Sequence, residues 1–209
     1  MFDPISVVIV ATVLLFALTV HEASHALAGT LCGDDTALKM GRLTLNPIAH
    51  IDPIGTIILP MIMLFTTGFV VGWAKPVPFN PNRLRNHRLD PVKIALAGPA
   101  SNLVLALGGI LFARVAVELF GGAGEMPPIL AGFLITFVFL NLLLMLFNLL
   151  PVPPLDGHYV LAYFLPPAGK QLLQQIGPFG IIIALILARP LLGNVFPVVQ
   201  AWSLNAMGM

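Results

Sequence analysis

Charge is what this sequence has least of: Lys, Arg, Asp and Glu make up 9% of its 209 residues, against about a quarter in soluble domains. That scarcity excludes an ordinary water-facing surface. With 58% hydrophobic residues and a mean hydropathy of +0.97, the chain reads as an integral membrane protein. No polar stretch in it is long enough for a second, soluble domain. The net charge is +1, and the basic residues gather between two apolar runs, which argues against nucleic acid as a partner. The single cysteine, Cys32, excludes an intrachain disulfide and reads as a small apolar filler near a helix end. No internal repeat or low-complexity tract interrupts the pattern.

What is present is a series of apolar runs, at about 5–30, 54–74, 92–120, 129–150, 171–189 and 191–206. Several approach the roughly 20 residues that a helix needs to cross the hydrocarbon. They predict an all-α polytopic membrane protein of about five to six transmembrane helices, with a re-entrant or β-hairpin element after the first. The N-terminal run lacks the basic start and the cleavage site of a signal peptide, so it reads as the first transmembrane helix. The whole chain, 1–209, reads as one membrane-embedded domain, with a core over about 5–165 and C-terminal helices over about 166–209. Between the runs, "GDDTALKMGRLTLNPIAHIDP" suits a small loop or β-hairpin, and "KPVPFNPNRLRNHRLDP" an irregular surface loop.

The first run carries "HEASH", which is unexpected because ionisable groups within a membrane span are costly and usually face protein or a water-filled cavity. On a helix, His21 and His25 project from one face and can bind a single zinc ion, with Glu22 beside them as a general base. A hydrogen-bonded polar cluster, or a proton or ion pathway, is the alternative. Catalytic zinc usually takes three protein ligands and leaves a fourth position for water. Asp156, in "FNLLPVPPLDGHYVL", is the best third candidate, since it follows a proline-broken helix end and precedes a permissive glycine. An ordinary helix N-cap is its other reading.

Three motifs in order, HEASH, "LAGPASN" at 96–102 and "FNLLPVPPLDG" at 147–157, resemble the site-2 protease family of intramembrane zinc metalloproteases. The resemblance covers most of the chain through residue 165. It implies one zinc held by His21, His25 and Asp156, with Glu22 as the base, and it places Asn102 and Asn148 along the site as substrate-binding residues. It further implies regulated intramembrane proteolysis of a transmembrane protein substrate, such as an anti-sigma factor or membrane-tethered regulator. The short core without extra domains suggests a prokaryotic plasma membrane, and the basic loop before residue 94 sets the active site toward the cytoplasm. Two departures stand out: His158 follows the L-D-G motif where relatives often carry a second glycine, and no stretch is long enough for a PDZ or CBS domain. The readings from other classes are a transporter or channel, and a catalytically silent scaffold for transmembrane helices.

Topology tests the zinc reading. Lys75, Arg83, Arg85, Arg88 and Lys93 make the loop before residue 94 the strongest cytoplasmic signal. If residues 54–74 crossed the bilayer, the histidines and Asp156 would lie on opposite sides. The three meet only if 54–74 re-enters, broken near Pro60 or at 66–68, which is allowed where protein or water satisfies the backbone. Other residues have plainer readings. Met61, Met63 and Met145 pack or face lipid; Trp73 and Trp202 suit the interfacial belt; His50 and His87 sit in surface loops; Arg114 and Glu118 pair or snorkel.

Overall fold

The computed structural model describes residues 3–58, 74–177 and 180–209. Among them every regular element is helical. The α-helices are α1 (Pro4–Leu31), α2 (Thr36–Lys39), α3 (Asp90–Phe120), α4 (Pro128–Asn148), α5 (Gly157–Phe164), α6 (Pro167–Ile176), α7 (Gly180–Pro190) and α8 (Phe196–Met207). Three of these, α1, α3 and α4, are long and apolar enough to cross a membrane, and a fourth span is possible if α6 and α7 together make one broken crossing.

The chain divides into two compact units, one formed by Leu18–Gly98 and the other by Met1–Ala17 with Pro99–Met209. In the second unit a stripe of small and branched residues on α3 (Ala106, Ile110, Ala113, Ala116) packs with Leu134, Val138 and Leu142 of α4 and Met207 of α8. Small residues let apolar helices approach closely where burial from water supplies little drive. Asn141 is fully buried among these helices, and its side chain is satisfied by Asn102 and by the Phe137 carbonyl. Where hydropathy suggests two full spans, α7 and α8 are short and joined directly by a π-helical turn, Leu191–Val195, flanked by Pro190 and Pro197, since proline removes a backbone donor and disturbs the α-helical ladder. Thus α7 has 11 residues and α8 has 12, each too short to cross alone.

α1 starts where Asp3 accepts hydrogen bonds from the backbone N–H of Ile5 and Ser6, at 3.3 and 3.0 Å, and Pro4 suits the first helical position. After its end, Asp34 is the clasp of the Leu18–Gly98 unit. It is 1% exposed, and its carboxylate accepts from Thr36 N and Oγ1 and from Asn80 N, at 3.1, 2.5 and 2.5 Å. Burial would raise its pKa, but these hydrogen bonds outweigh it and the net shift is downward. Cys32 fills a small apolar cluster with Leu84 and Ile94, as expected, and its carbonyl accepts from Arg85 N at 3.1 Å. The segment before α3 is irregular apart from a turn at Pro81–Arg83, again as expected.

Residues 33–52 form no strand. α2 takes up Thr36–Lys39, closed by Gly41 at φ +69°, and a turn follows at Pro47–His50. The β form of the expected hairpin is therefore replaced by helix and extended coil. Asp34 receives the first turn of α2, and Gly41 takes the left-handed conformation that ends it. The re-entrant form falls on 54–74, of which 59–73 lie outside the described residues, as do Met61, Met63 and Trp73; Pro53–Ile58 form a π-helical turn. His50 departs from its surface reading: it is 3% exposed, with Nε2 2.9 Å from the Thr44 carbonyl. Arg114 reaches the Ala206 carbonyl at 3.4 Å rather than Glu118. His87 is exposed, as expected, and Trp202 is 55% exposed.

Candidate metal centre

His21, Glu22 and His25 lie two-thirds of the way along α1 and are 3%, 9% and 7% exposed. The four-residue spacing stacks the two imidazoles on one face, with ring centroids 4.6 Å apart in an edge-on arrangement. Their Nε2 atoms stand 3.0 Å apart. Two nitrogens each about 2.0–2.1 Å from a tetrahedral zinc would be about 3.3 Å apart, so the pair is already close to the edge of such a site. His25 Nδ1 lies 2.7 Å from the Ile94 carbonyl. That oxygen can only accept, so Nδ1 carries the proton and the Nε2 lone pair is left for a metal.

Gly98 of α3 closes one side of this pair. A β-carbon there would stand 2.6 Å from both His21 Cε1 and His21 Nε2, and closer still to His25 Nε2. Any side chain would occupy the space between the donor atoms. Histidine-face packing against a glycine, a fixed tautomer and two convergent nitrogens together fit a zinc ion. The proline-glycine stretch around Gly98 was legible as a motif, but the role of Gly98 was not. Its function is to be absent as a side chain, at a point brought near by the fold rather than by spacing along the sequence.

A second residue without a sequence signal is Arg42. It is 4% exposed, its Nη2 donates to the Lys75 carbonyl, and its Nε has no hydrogen-bond acceptor among the described residues. Burial pulls its pKa down and the charge of Glu22 opposes that shift; a guanidinium remains protonated at neutral pH regardless. Beside it, Leu43, Thr44 and Leu45 face Val20, Ala23, Ser24 and Leu27 of α1 across a cavity of about 360 Å³.

The other predicted residues belong to the second unit. Asp156 directly precedes α5, where an N-cap is expected, yet its side chain makes no capping hydrogen bond. Its carboxylate is thus not committed to the local role that competes with metal ligation. Gly157 is required for the turn: a β-carbon there would overlap the Leu149 carbonyl and lie 2.5 Å from that of Leu150. Asn102 is fully buried and donates to Asn141 Oδ1 at 3.0 Å, and Asn148 donates to the Leu144 carbonyl of its own helix at 3.0 Å. His158 is partly buried, places Nδ1 2.6 Å from the Leu155 carbonyl and packs against the Tyr159 ring at a tilt of 42°, with centroids 3.9 Å apart.

No family model matches the chain, and no solved structure matches it. Curated relatives do. "Putative zinc metalloprotease YwhC" of Bacillus subtilis is 41% identical over 183 residues, covering 87% of this chain and 80% of the relative. "Putative zinc metalloprotease Rip2" of Mycolicibacterium smegmatis is 29% identical over 199 residues, covering 93% of this chain and 72% of the relative. The protein of that name in Mycobacterium tuberculosis is 28% identical over 201 residues, with the same coverage. With this similarity running along most of its length, the chain belongs to the site-2 protease family of zinc metalloproteases.

Proposed function

We propose that the protein is a zinc-dependent endopeptidase that cleaves transmembrane segments of membrane-anchored proteins. The observation that carries this reading is the His21–His25 pair, its Nε2 atoms 3.0 Å apart beside Glu22 on a helix apolar enough to span a membrane. His21 and His25 supply two ligands and Asp156, uncommitted to helix capping, supplies the third. Zinc, when bound, polarises the scissile carbonyl and acidifies water. Glu22 takes a proton from the attacking water as oxygen bonds to the carbonyl carbon, then delivers it to the departing amide nitrogen as the C–N bond breaks. The Ile94 carbonyl holds the His25 ring in its orientation throughout. Metal binding offsets part of the cost of keeping these groups in an apolar helix.

A helical substrate hides its carbonyls in intrahelical hydrogen bonds, so the reacting segment must be extended. The edge at Leu43–Leu45 suits it, since it is non-helical, lies along the cavity beside α1 and leaves the Leu43 and Leu45 N–H groups without acceptors among the described residues. Proline placed at Leu43 or Leu45 is expected to lower cleavage of a transmembrane substrate by about tenfold or more, the equivalent of one or two main-chain hydrogen bonds. Unchanged rates in a side-by-side assay would remove the strand-addition step. The cellular reading is regulated intramembrane proteolysis in a prokaryotic plasma membrane, with the site toward the cytoplasm. The released product would be the cytosolic part of an anti-sigma factor or tethered regulator.

The direct test incubates the purified protein, in detergent and in liposomes, with a single-pass substrate bearing helix-weakening residues and with an unfolded soluble peptide. Cleavage within the transmembrane segment, abolished by a zinc chelator and restored by zinc, is the expected result. Chelator-sensitive cleavage of the soluble peptide alone would overturn the intramembrane reading.

A further inference from the structure

α6 is built differently from the long apolar helices. From Pro167 to Ile176 its polar residues come in pairs, Lys170 with Gln171 and Gln174 with Gln175, and the apolar ones alternate with them: Ala168 with Gly169, Leu172 with Leu173, then Ile176. Pairs that recur every four residues keep to one side of a 3.6-residue helix, so α6 has a polar face and an apolar face. We infer that α6 lies in the plane of the membrane at the level of the phospholipid headgroups, as an interfacial anchor and not as half of a broken span. This does not depend on the chemistry proposed above.

The apolar face is itself divided. Leu173 is 9% exposed, and on its side Gly169 comes so close to Leu165 that a β-carbon would stand 3.2 Å from Leu165 Cβ. Leu172, about 100° round the helix, is 59% exposed, and Phe164 just before α6 is 75% exposed. Lys170, Gln171, Gln174 and Gln175 are exposed too. α6 therefore meets three surroundings: protein behind Leu173, an apolar phase at Leu172 and Ala168, and a polar phase at the lysine and glutamines. Hydrocarbon alone would strand four polar side chains, and water alone would leave Leu172 and Phe164 uncovered. The bilayer boundary supplies both phases at once, acyl chains for the leucine and headgroup phosphates for the Lys170 ammonium and the glutamine amides. The connection to α7 fits the same placement. α7, which bears the exposed Ile182 and Ile186, leaves α6 at 89°, the turn needed between a helix lying on a membrane and one entering it. Beyond that turn helical residues follow without a gap from Gly180 to Met207, more than the roughly 20 residues of a crossing, so the chain can cross without α6. α5 is about 12 Å long and leads through Leu165 and Pro166 into α6. The anchor thus also limits how deep the turn bearing Asp156 can lie.

The test attaches a nitroxide to Ala168→Cys, Gln171→Cys, Leu172→Cys and Gln174→Cys, each in the full chain reconstituted in phosphatidylcholine–phosphatidylglycerol vesicles. The wild-type chain, whose single Cys32 is buried, serves as the labelling blank. Collisions with oxygen, which enriches in hydrocarbon, are compared with collisions with a water-soluble nickel chelate to give the depth of each label. The Ala168→Cys and Leu172→Cys labels should lie about 5–10 Å below the headgroup level and the Gln171→Cys and Gln174→Cys labels at or above it, so that depth rises and falls with the helical repeat. Depth that changes steadily along the four positions, by about 1.5 Å per residue, marks a spanning segment and overturns the inference. Equal nickel access at all four marks a helix in water and overturns it as well. Labels on Ala168→Cys and Leu172→Cys shielded from both reagents mean that protein, such as a second copy of the chain, covers this face, which also overturns it. The two positions report the same face independently, so if one variant fails to fold the other decides.

Discussion

Glu22→Gln is expected to lower cleavage by on the order of 10²–10⁴-fold, the range over which a positioned general base acts, with zinc content unchanged. The substitution keeps the shape of a side chain that is 9% exposed, so it leaves α1 packed as before. Glu22 lies between the two ligands in sequence without being one, and a glutamine there cannot accept the proton of water. Single-turnover cleavage beside metal analysis of the same preparation checks both halves. Retention of activity would assign the base elsewhere; loss of zinc together with activity would make Glu22 a ligand.

Gly98→Ala should be as damaging by a different route. In an ordinary helix interior this exchange stabilises by about 1 kcal/mol. Here the new β-carbon falls 2.6 Å from His21 Nε2 and closer to His25 Nε2, separations that β-carbons do not tolerate. The helix backbone cannot yield readily, so the imidazoles must turn away. Disturbing the groups that merely orient metal ligands weakens binding by about 10–100-fold, and displacing two ligands should reach or exceed the upper end. Competition with a chromophoric chelator measures this directly, and activity should fall with occupancy. A Gly98→Ala protein with wild-type zinc affinity would mean that the histidines do not bind the metal in the arrangement described.

What the sequence disclosed followed the range over which its signals act. The HEASH spacing is a local helical relation, so the stacking of His21 and His25 on one face of α1 could be read from a separation of four residues and the 3.6-residue repeat alone. α1, α3 and α4 were legible for the same reason, as uninterrupted apolar runs. The chain after residue 166 was equally apolar, but its helix changes to a π-helical turn at Leu191–Val195 between α7 and α8, and hydropathy registers composition rather than helix type. The 33–52 segment was ambiguous between hairpin and loop. Its outcome, helix and coil, depended on Asp34 binding Asn80 from a distant part of the chain. Gly98, Arg42 and His50 lay beyond local reading. The first matters for the space it leaves, and the other two look like loop residues until Lys75 and Thr44 close around them.

The most direct test of the central claim, one zinc held by two histidines and a carboxylate, is X-ray absorption at the zinc edge on purified wild type and Asp156→Ala. About one zinc per chain, with two imidazoles and additional oxygen ligation, is predicted for the wild type, and the alanine variant should bind zinc about 100-fold or more weakly. Metal-free wild type under non-chelating conditions, or a zinc shell without imidazole, would contradict the account.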